Sequence, residues 1–375
     1  LPEAQLIETT LLNIMNFQTL IATKAARVRW AAAGDHVSDF GLRRAQGPDG
    51  ALMASRAAYI GGVDATSNVL AGRLYGIPVR GTHAHSWVES FPNELEAFRA
   101  YASVYPQACL LLVDTYDTLR SGVPNAIQVG RELRENGNNL WGIRLDSGDL
   151  AYLSKESRNL LDEAGFKDAM IVASSDLDEW IIESLKRQGA RVDSWGVGTR
   201  LVTSFSCPAL GGVYKLTALD DGGERMTPKI KRSDNQDKIT NPGLKKTVRM
   251  YDRSGRMRGD VVFLDGERAP EGRSFRVCHP IFPHVSKTYP RGFKGVELMI
   301  PVFKKGKLIY ESPDVHGIRE NTLKNLEELD PAYKRFSNPH TYHVSLSSKL
   351  FKVKQRLLRK ASSNDTVKSR RKKVQ

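Results

Sequence analysis

Residues 140–176 read LWGIRLDSGDLAYLSKESRNLLDEAGFKDAMIVASSD. Two apolar runs of strand length, LWGIRLDS (140–147) and AMIVASSD (169–176), flank AYLSKESRNLLDEA (151–164), whose apolar residues recur at helical spacing. A strand, a helix and a second strand in so short a span predict parallel strands joined by a right-handed crossover. The alternation continues in both directions. VSDF (37–40), IPVRGTHA (77–84), ACLLLVDT (108–115) and DSWGVGT (193–199) have the length of buried strands. ELEAFRAYASVY (94–105), PNAIQVGRELREN (124–136) and LDEWIIESLKRQ (177–188) read as helices between them. Such a chain makes a doubly wound sheet or a barrel. Ahead of it, residues 3–33 have the periodicity of one long or broken helix.

The pattern changes near Gly211. GGVYKLTAL (211–219), ERMTPKIKRS (224–233), KKTVRMYDRSGRMRGDVVFL (245–264) and GKLIYES (306–312) are punctuated by DDGG, NPG and DRSG, which are hairpin signals. From about Asn338 the sequence predicts a short helix running into a disordered basic end. The resulting organisation is a parallel α/β core over residues 1–210, an antiparallel β region over 211–337, and a helix with a basic tail over 338–375.

The formal net charge of the 375 residues is +14, but residues 349–375 hold eleven Lys and Arg against one acid, Asp365, and so carry +10 of it. The rest has an ordinary surface charge, and the tail reads as a solvated end rather than a nucleic-acid-binding arm. Cys109, Cys207 and Cys278 are odd in number and widely spaced, which fits a reducing compartment and no disulfide framework. The longest apolar run, ACLLLV (108–113), is far short of the ~18 residues of a membrane span. The chain starts at Leu1, directly in a helical pattern, so the true N-terminus is expected to lie upstream.

In parallel α/β folds the C-terminal ends of the strands form the active face. Here those ends read DFGLRRAQGPDG (39–50), GTHAHS (81–86), DTYDT (114–118), RLDSGD (144–149), SSDLD (174–178) and GVGT (196–199). His83 and His85 have the spacing of a metal-binding pair, but no histidine follows until His279, which leaves the pair without further imidazole ligands. Gly196, Gly198 and Thr199 could converge backbone N–H groups and a hydroxyl on a phosphate, or merely form a turn. Arg144 could pair a carboxylate or stack on a flat ring, and Asp146 and Asp149 could hold ribose hydroxyls or Mg²⁺. The plainer reading of Asp149 is an N-cap for the following helix.

DFGLRRAQGPDGALMASRAAYIGGVDATSNVLAGRLYGIPVRGTHAHSWV (39–88), LVDTYDT, GIRLDSGDLAYLSKE, IVASSDLDE, GVGTRLVTS, PALGGVYKL and KITNPGLKK together resemble the nicotinate phosphoribosyltransferases, in unbroken order over residues 5 to 250. Beyond residue 250 the likeness is looser, and the resemblance implies a further N-terminal portion, supplying an aromatic of the nicotinate pocket, that this sequence is expected to lack. The resemblance implies an irregular TIM-like (β/α) barrel of parallel strands with a smaller antiparallel β region after it. It also implies transfer of phosphoribose from 5-phosphoribosyl 1-diphosphate to nicotinate with coupled ATP hydrolysis, in a cytoplasmic homodimer using Mg²⁺ or Mn²⁺. No nucleic-acid or membrane partner is implied. By the same resemblance His85 is the histidine phosphorylated by ATP, Thr82 and Arg144 contact nicotinate, and Thr199, with Gly196, Gly198 and Ser174, contacts phosphoribosyl diphosphate. Asp146 and Asp149 are expected to favour positive charge on the ribose and to bind its hydroxyls. His83 receives no role. A relative acting on nicotinamide or quinolinate, and a truncated non-catalytic scaffold, are the alternatives.

Overall fold

A computed structural model describes the backbone of residues 2–220, 222, 226–270 and 272–372; the side chains of residues 237 and 362–372 lie outside the description. The chain divides into two compact units, Leu1–Gly212 with Pro313–Leu323, and Val213–Ser312 with Lys324–Gln375.

The first unit is built on six parallel strands: β1 (His36–Asp39), β2 (Ala65–Thr66), β3 (Leu110–Leu112), β4 (Gly142–Leu145), β5 (Met170–Ala173) and β6 (Ser194–Val197). Their order is β2-β1-β6-β5-β4-β3. All residues of β3 and β6 are buried, as expected of a parallel sheet covered on both faces. The strand-helix-strand reading of residues 140–176 is β4, the helix Leu150–Glu163 and β5. Helix starts follow local chemistry: Asn93, Asp149 and Asp178 each accept a backbone N–H of the first turn they cap. The expected N-terminal helix is broken, into Pro2–Leu6 and Glu8–Ala32. It is held by an ion cluster in which the buried Lys24 and the partly exposed Arg27 meet the buried Glu179 at 2.6 and 2.9 Å.

The barrel expectation resolves into a coarser fact. The sheet has six strands where a TIM barrel has eight, and among the described residues no ladder joins its edges, β2 and β3.

In the second unit a short hairpin, β7 (Ala218–Asp220) and β8 (Met226–Pro228), precedes the main sheet; the tip of the expected DDGG turn lies outside the described residues. The main sheet contains β9 (Lys245–Tyr251), β10 (Met257–Leu264), β11 (Phe275–Cys278), β12 (Ser286–Tyr289) and β13 (Lys294–Glu297). The hairpin β14 (Phe303–Lys304) and β15 (Lys307–Leu308) stands apart, and β16 (Val344–Ser347) returns to the main sheet, whose order is β12-β11-β16-β10-β9-β13. The β9–β10 turn is DRSG, where the Asp252 carboxylate accepts the N–H groups of Ser254 and Arg256.

Two boundaries differ from the sequence reading. Residues 313–323, expected in the antiparallel region, belong to the first unit, because Arg319 donates to the carbonyls of Tyr59, Gly62 and Val63 and pairs with Asp64 at 3.0 Å. Residues 338–375, expected as a short helix and a disordered end, begin with β16, parallel to β10, and continue as a helix over Ser348–Lys372. That helix starts inside the fold: Leu350 is buried, and the buried Lys354 donates to Asn241 Oδ1 and Pro280 O, both at 2.9 Å. Of the expected disordered end, residues 373–375 lie outside those described.

Candidate active site at the strand ends

Arg144, on β4, is the most heavily bonded side chain of the strand-end face. Its Nε donates to Ser174 Oγ at 2.9 Å and its Nη1 to Thr82 Oγ1 at 2.8 Å, while Nη2 meets Asp146 Oδ1 at 3.2 Å. A longer contact, 3.4 Å, reaches the carbonyl of His83. Ser174 Oγ in turn donates to Asp146 Oδ1. Thr82, Arg144, Asp146 and Ser174, predicted from three separate strand tips, therefore form one hydrogen-bonded group. The guanidinium lies 5.6 Å from the centroid of Phe40, which gives it an aromatic floor. With 13% of its side chain exposed, Arg144 retains little contact with water, so its charge acts at low screening.

The residue that joins this group to His85 is Asp114, just past β3. Its Oδ1 lies 3.2 Å from His85 Nε2, and its Oδ2 accepts from Asp146 N at 2.8 Å and Ser147 Oγ at 2.6 Å. The Asp114 side chain is 2% exposed and His85 38%. A carboxylate oxygen facing an imidazole nitrogen requires a proton on that nitrogen, and the tautomer of His85 with its one proton on Nε2 leaves Nδ1 with a free lone pair. Asp114 was legible only as one acid in the DTYDT tip; what marks it is its position directly after an apolar strand. Ser147 and Phe40 were likewise missed as members of the site.

His83 faces the other way. It is buried against Tyr101 and Phe98, with ring centroids 4.7 and 6.1 Å away, and its Nε2 accepts the backbone N–H of Leu112 at 3.1 Å. Its proton therefore sits on Nδ1, 3.4 Å from Ala84 O. Burial, reinforced by the charge of Arg144 and opposed by the Ala84 contact, pushes its pKa down to about 4. The unfolded chain takes up a proton near pH 6.5 that the folded one refuses, so this histidine costs no stability above that pH and a growing amount as pH falls toward 4. Over that window the wild-type protein should lose roughly 3 kcal/mol more than His83→Gln. Urea titrations at pH 7 and pH 4 check this, and equal losses in the two proteins would refute it.

The remaining expected residues divide. Gly196 lies inside β6, and a Cβ there would stand 2.4 Å from Phe40 Cε2. On that side Gly196 makes room for Phe40, the floor of Arg144. Gly198 and Thr199 form the turn into the short helix Thr199–Val202. Asp149 caps the helix Leu150–Glu163, its Oδ1 accepting from Tyr152 N at 3.0 Å, as the plainer reading had it. Asp39 is an anchor, its buried carboxylate accepting from Gly41 N, Ser55 Oγ and Thr66 Oγ1, each at 2.8 Å. After β5, Ser175 and Asp176 both take positive φ, 100° and 38°, local strain of roughly 1–3 kcal/mol each beside the site. Among the described residues no group of three His, Cys, Asp and Glu could hold a metal, and no helix is long and apolar enough to cross a membrane.

A family model described as the nicotinate phosphoribosyltransferase (NAPRTase) family matches residues 36–254, and one described as the nicotinate phosphoribosyltransferase C-terminal domain matches residues 244–354. The chain is 48% identical to a nicotinate phosphoribosyltransferase of Bacillus subtilis over 97% of its own length and 74% of the relative's. It is 40% identical to one of Dictyostelium discoideum, over 92% and 67%. The crystal structure of human nicotinic acid phosphoribosyltransferase superposes with a TM-score of 0.80 at 31% identity, over 94% of this chain and 77% of that one.

Proposed function

Because this chain belongs to the nicotinate phosphoribosyltransferase family, we propose that its strand-end site joins nicotinate to 5-phosphoribosyl 1-diphosphate, giving nicotinate mononucleotide and diphosphate, with ATP hydrolysis coupled through His85. The observation that carries the coupling is the continuous chain of contacts from Arg144 through Asp146 and Asp114 to His85. The site needs three functions: to hold a carboxylate, to tolerate positive charge on a ribose, and to accept a phosphoryl group.

Arg144 holds the nicotinate carboxylate, with Thr82 beside it and Phe40 as the flat apolar surface for the ring. The pyridine nitrogen attacks C1 of the ribose as the C1–O bond to diphosphate breaks and its electron pair leaves with the diphosphate. Positive charge then builds on the ribose, and Asp146, fixed by Ser174 and Arg144, is the carboxylate that faces it. Asp149, expected to share this role, uses its Oδ1 as the cap of the helix Leu150–Glu163. Gly198 and Thr199, at the end of β6, receive the 5-phosphate.

His85 attacks the γ-phosphorus of ATP through Nδ1, ADP leaves, and the proton stays on Nε2, where Asp114 stabilises the cationic ring. Water later removes the phosphoryl group. Mg²⁺ or Mn²⁺ would be held chiefly by the phosphates of ATP and phosphoribosyl diphosphate, since among the described residues no three His, Cys, Asp or Glu side chains are grouped to hold a metal.

Purified protein given nicotinate, phosphoribosyl diphosphate, ATP and Mg²⁺ should form nicotinate mononucleotide, and nicotinamide should be turned over about a hundredfold less well, for want of a charge to pair with Arg144. With γ-labelled ATP, acid-labile label should appear and vanish in His85→Ala. Preferred turnover of nicotinamide, or full labelling of His85→Ala, sinks the reading.

A further inference from the structure

We propose that His83 is a positioning residue for His85: its imidazole ties the GTHAHS segment to the open edge of the parallel sheet and so fixes where His85 meets Asp114. The inference rests on the reading of His85 as the phosphoryl acceptor and names what holds that acceptor in register.

The sheet ends at β2 on one side and β3 on the other. At the β2 edge the chain adds a single bridge, with Thr66 N donating to Pro78 O and Arg80 N donating to Thr66 O, both at 3.0 Å. At the β3 edge, Val113 N donates to Arg144 O of β4 at 3.1 Å. Successive backbone amides of a strand point to opposite sides, so the preceding one, Leu112 N–H, points away from β4, to the side where no strand among the described residues pairs with β3. A buried backbone donor requires an acceptor, and His83 Nε2 supplies it. The segment between Arg80 and His83 thus spans from one edge of the sheet to the other.

The spacing makes this attachment matter for chemistry. His83 holds Leu112, and two residues further along each segment His85 holds Asp114. The two side-chain contacts run in step, as consecutive rungs of a parallel ladder would, and the first sets the second. The same segment presents Thr82 Oγ1 and the His83 carbonyl to Arg144, so a shift here moves both halves of the site. Only a neutral ring with its proton on Nδ1 can accept at Nε2, and the Ala84 carbonyl and the packing of Tyr101 and Phe98 favour that form.

The test compares His83→Leu, which fills much of the space but offers no acceptor, with His83→Gln, whose amide oxygen can reach the position of Nε2. In the full-length protein, amide exchange at Leu112 should speed up by about tenfold or more in His83→Leu and stay slow in His83→Gln. Nitrogen-15 spectra of labelled histidine should show His85 as one Nε2–H tautomer in wild type and His83→Gln, and as a tautomer mixture in His83→Leu. Labelling of His85 by ATP should fall by about tenfold or more in His83→Leu and recover to within about threefold in His83→Gln. Should His83→Leu not fold, His83→Asn, too short to reach Leu112, takes its place with the same expectations. An unchanged His85 tautomer and labelling rate in the variant without an acceptor overturns the proposal, as does an equally protected Leu112 amide. If wild type takes no label while the exchange and tautomer changes appear as stated, the positioning role stands and the phosphorylation reading falls.

Discussion

Asp114→Ala should reduce the rate at which His85 takes phosphate from ATP by at least about a hundredfold, roughly 2.7 kcal/mol of transition-state stabilisation. One carboxylate accepts from His85 Nε2, Asp146 N and Ser147 Oγ. Its removal frees His85 to carry its proton on either nitrogen, removes the negative charge that stabilises the cationic ring, and releases the backbone that aims Asp146. Asp114→Asn separates these effects. Its one oxygen can still accept from Asp146 N and Ser147 Oγ, but its NH2 group then faces His85 Nε2 and the charge is gone, so it should keep the protein's stability and lose most of the labelling rate. Rapid-quench measurement of acid-labile label in the three proteins is the check. A rate within threefold of wild type in Asp114→Ala would mean that the carboxylate holds the loop and nothing more.

Arg144→Ala should raise the nicotinate KM by about tenfold to a hundredfold, since a charge-assisted pair in a poorly solvated site is worth roughly 1.5–3 kcal/mol. Arg144→Lys should rescue little of this. Lysine offers a point charge, whereas the fork of Arg144 reaches Ser174, Thr82 and Asp146 simultaneously from a fixed plane over Phe40. Initial-rate measurements with nicotinate varied at saturating phosphoribosyl diphosphate distinguish the cases. An unchanged KM in Arg144→Ala removes the residue from the carboxylate pocket, and full rescue by lysine reduces its role to charge alone.

Much of the site was already visible as separate strand tips. The alternation of apolar runs and helical stretches is local information, as are the polar ends of the runs, so the tips that carry Thr82, His85, Arg144, Asp146 and Ser174 could be located one at a time, while the family resemblance supplied the roles of Thr82, His85 and Arg144. Asp149 illustrates the limit of that procedure, because an acid ahead of a helix satisfies both a catalytic and a capping reading. The N–H of Tyr152 at 3.0 Å from its carboxylate favours the cap. Gly196 shows the same ambiguity in reverse: a Gly-x-Gly turn reads as a phosphate loop, and nothing in its neighbours foretells that Phe40, more than 150 residues earlier, needs the space.

What the amino-acid sequence determined by itself, then, was the order of strands and helices, the change to β hairpins near Gly211, and the strand ends on which chemistry could sit, since each depends on spacing within a few residues. Only the tertiary structure decided the partnerships. Asp114 faces His85 from 29 residues further along the chain, and Arg319 binds the carbonyls of a helix end more than 250 residues earlier. His83 and His85, alike in sequence, part company for the same reason: one ring enters an aromatic core and accepts the edge amide of Leu112, and the other stands half-exposed against a carboxylate. Hydrogen bonds and burial at that range depend on which strands become neighbours, and that is settled by the packing of the whole sheet rather than by any window of the chain.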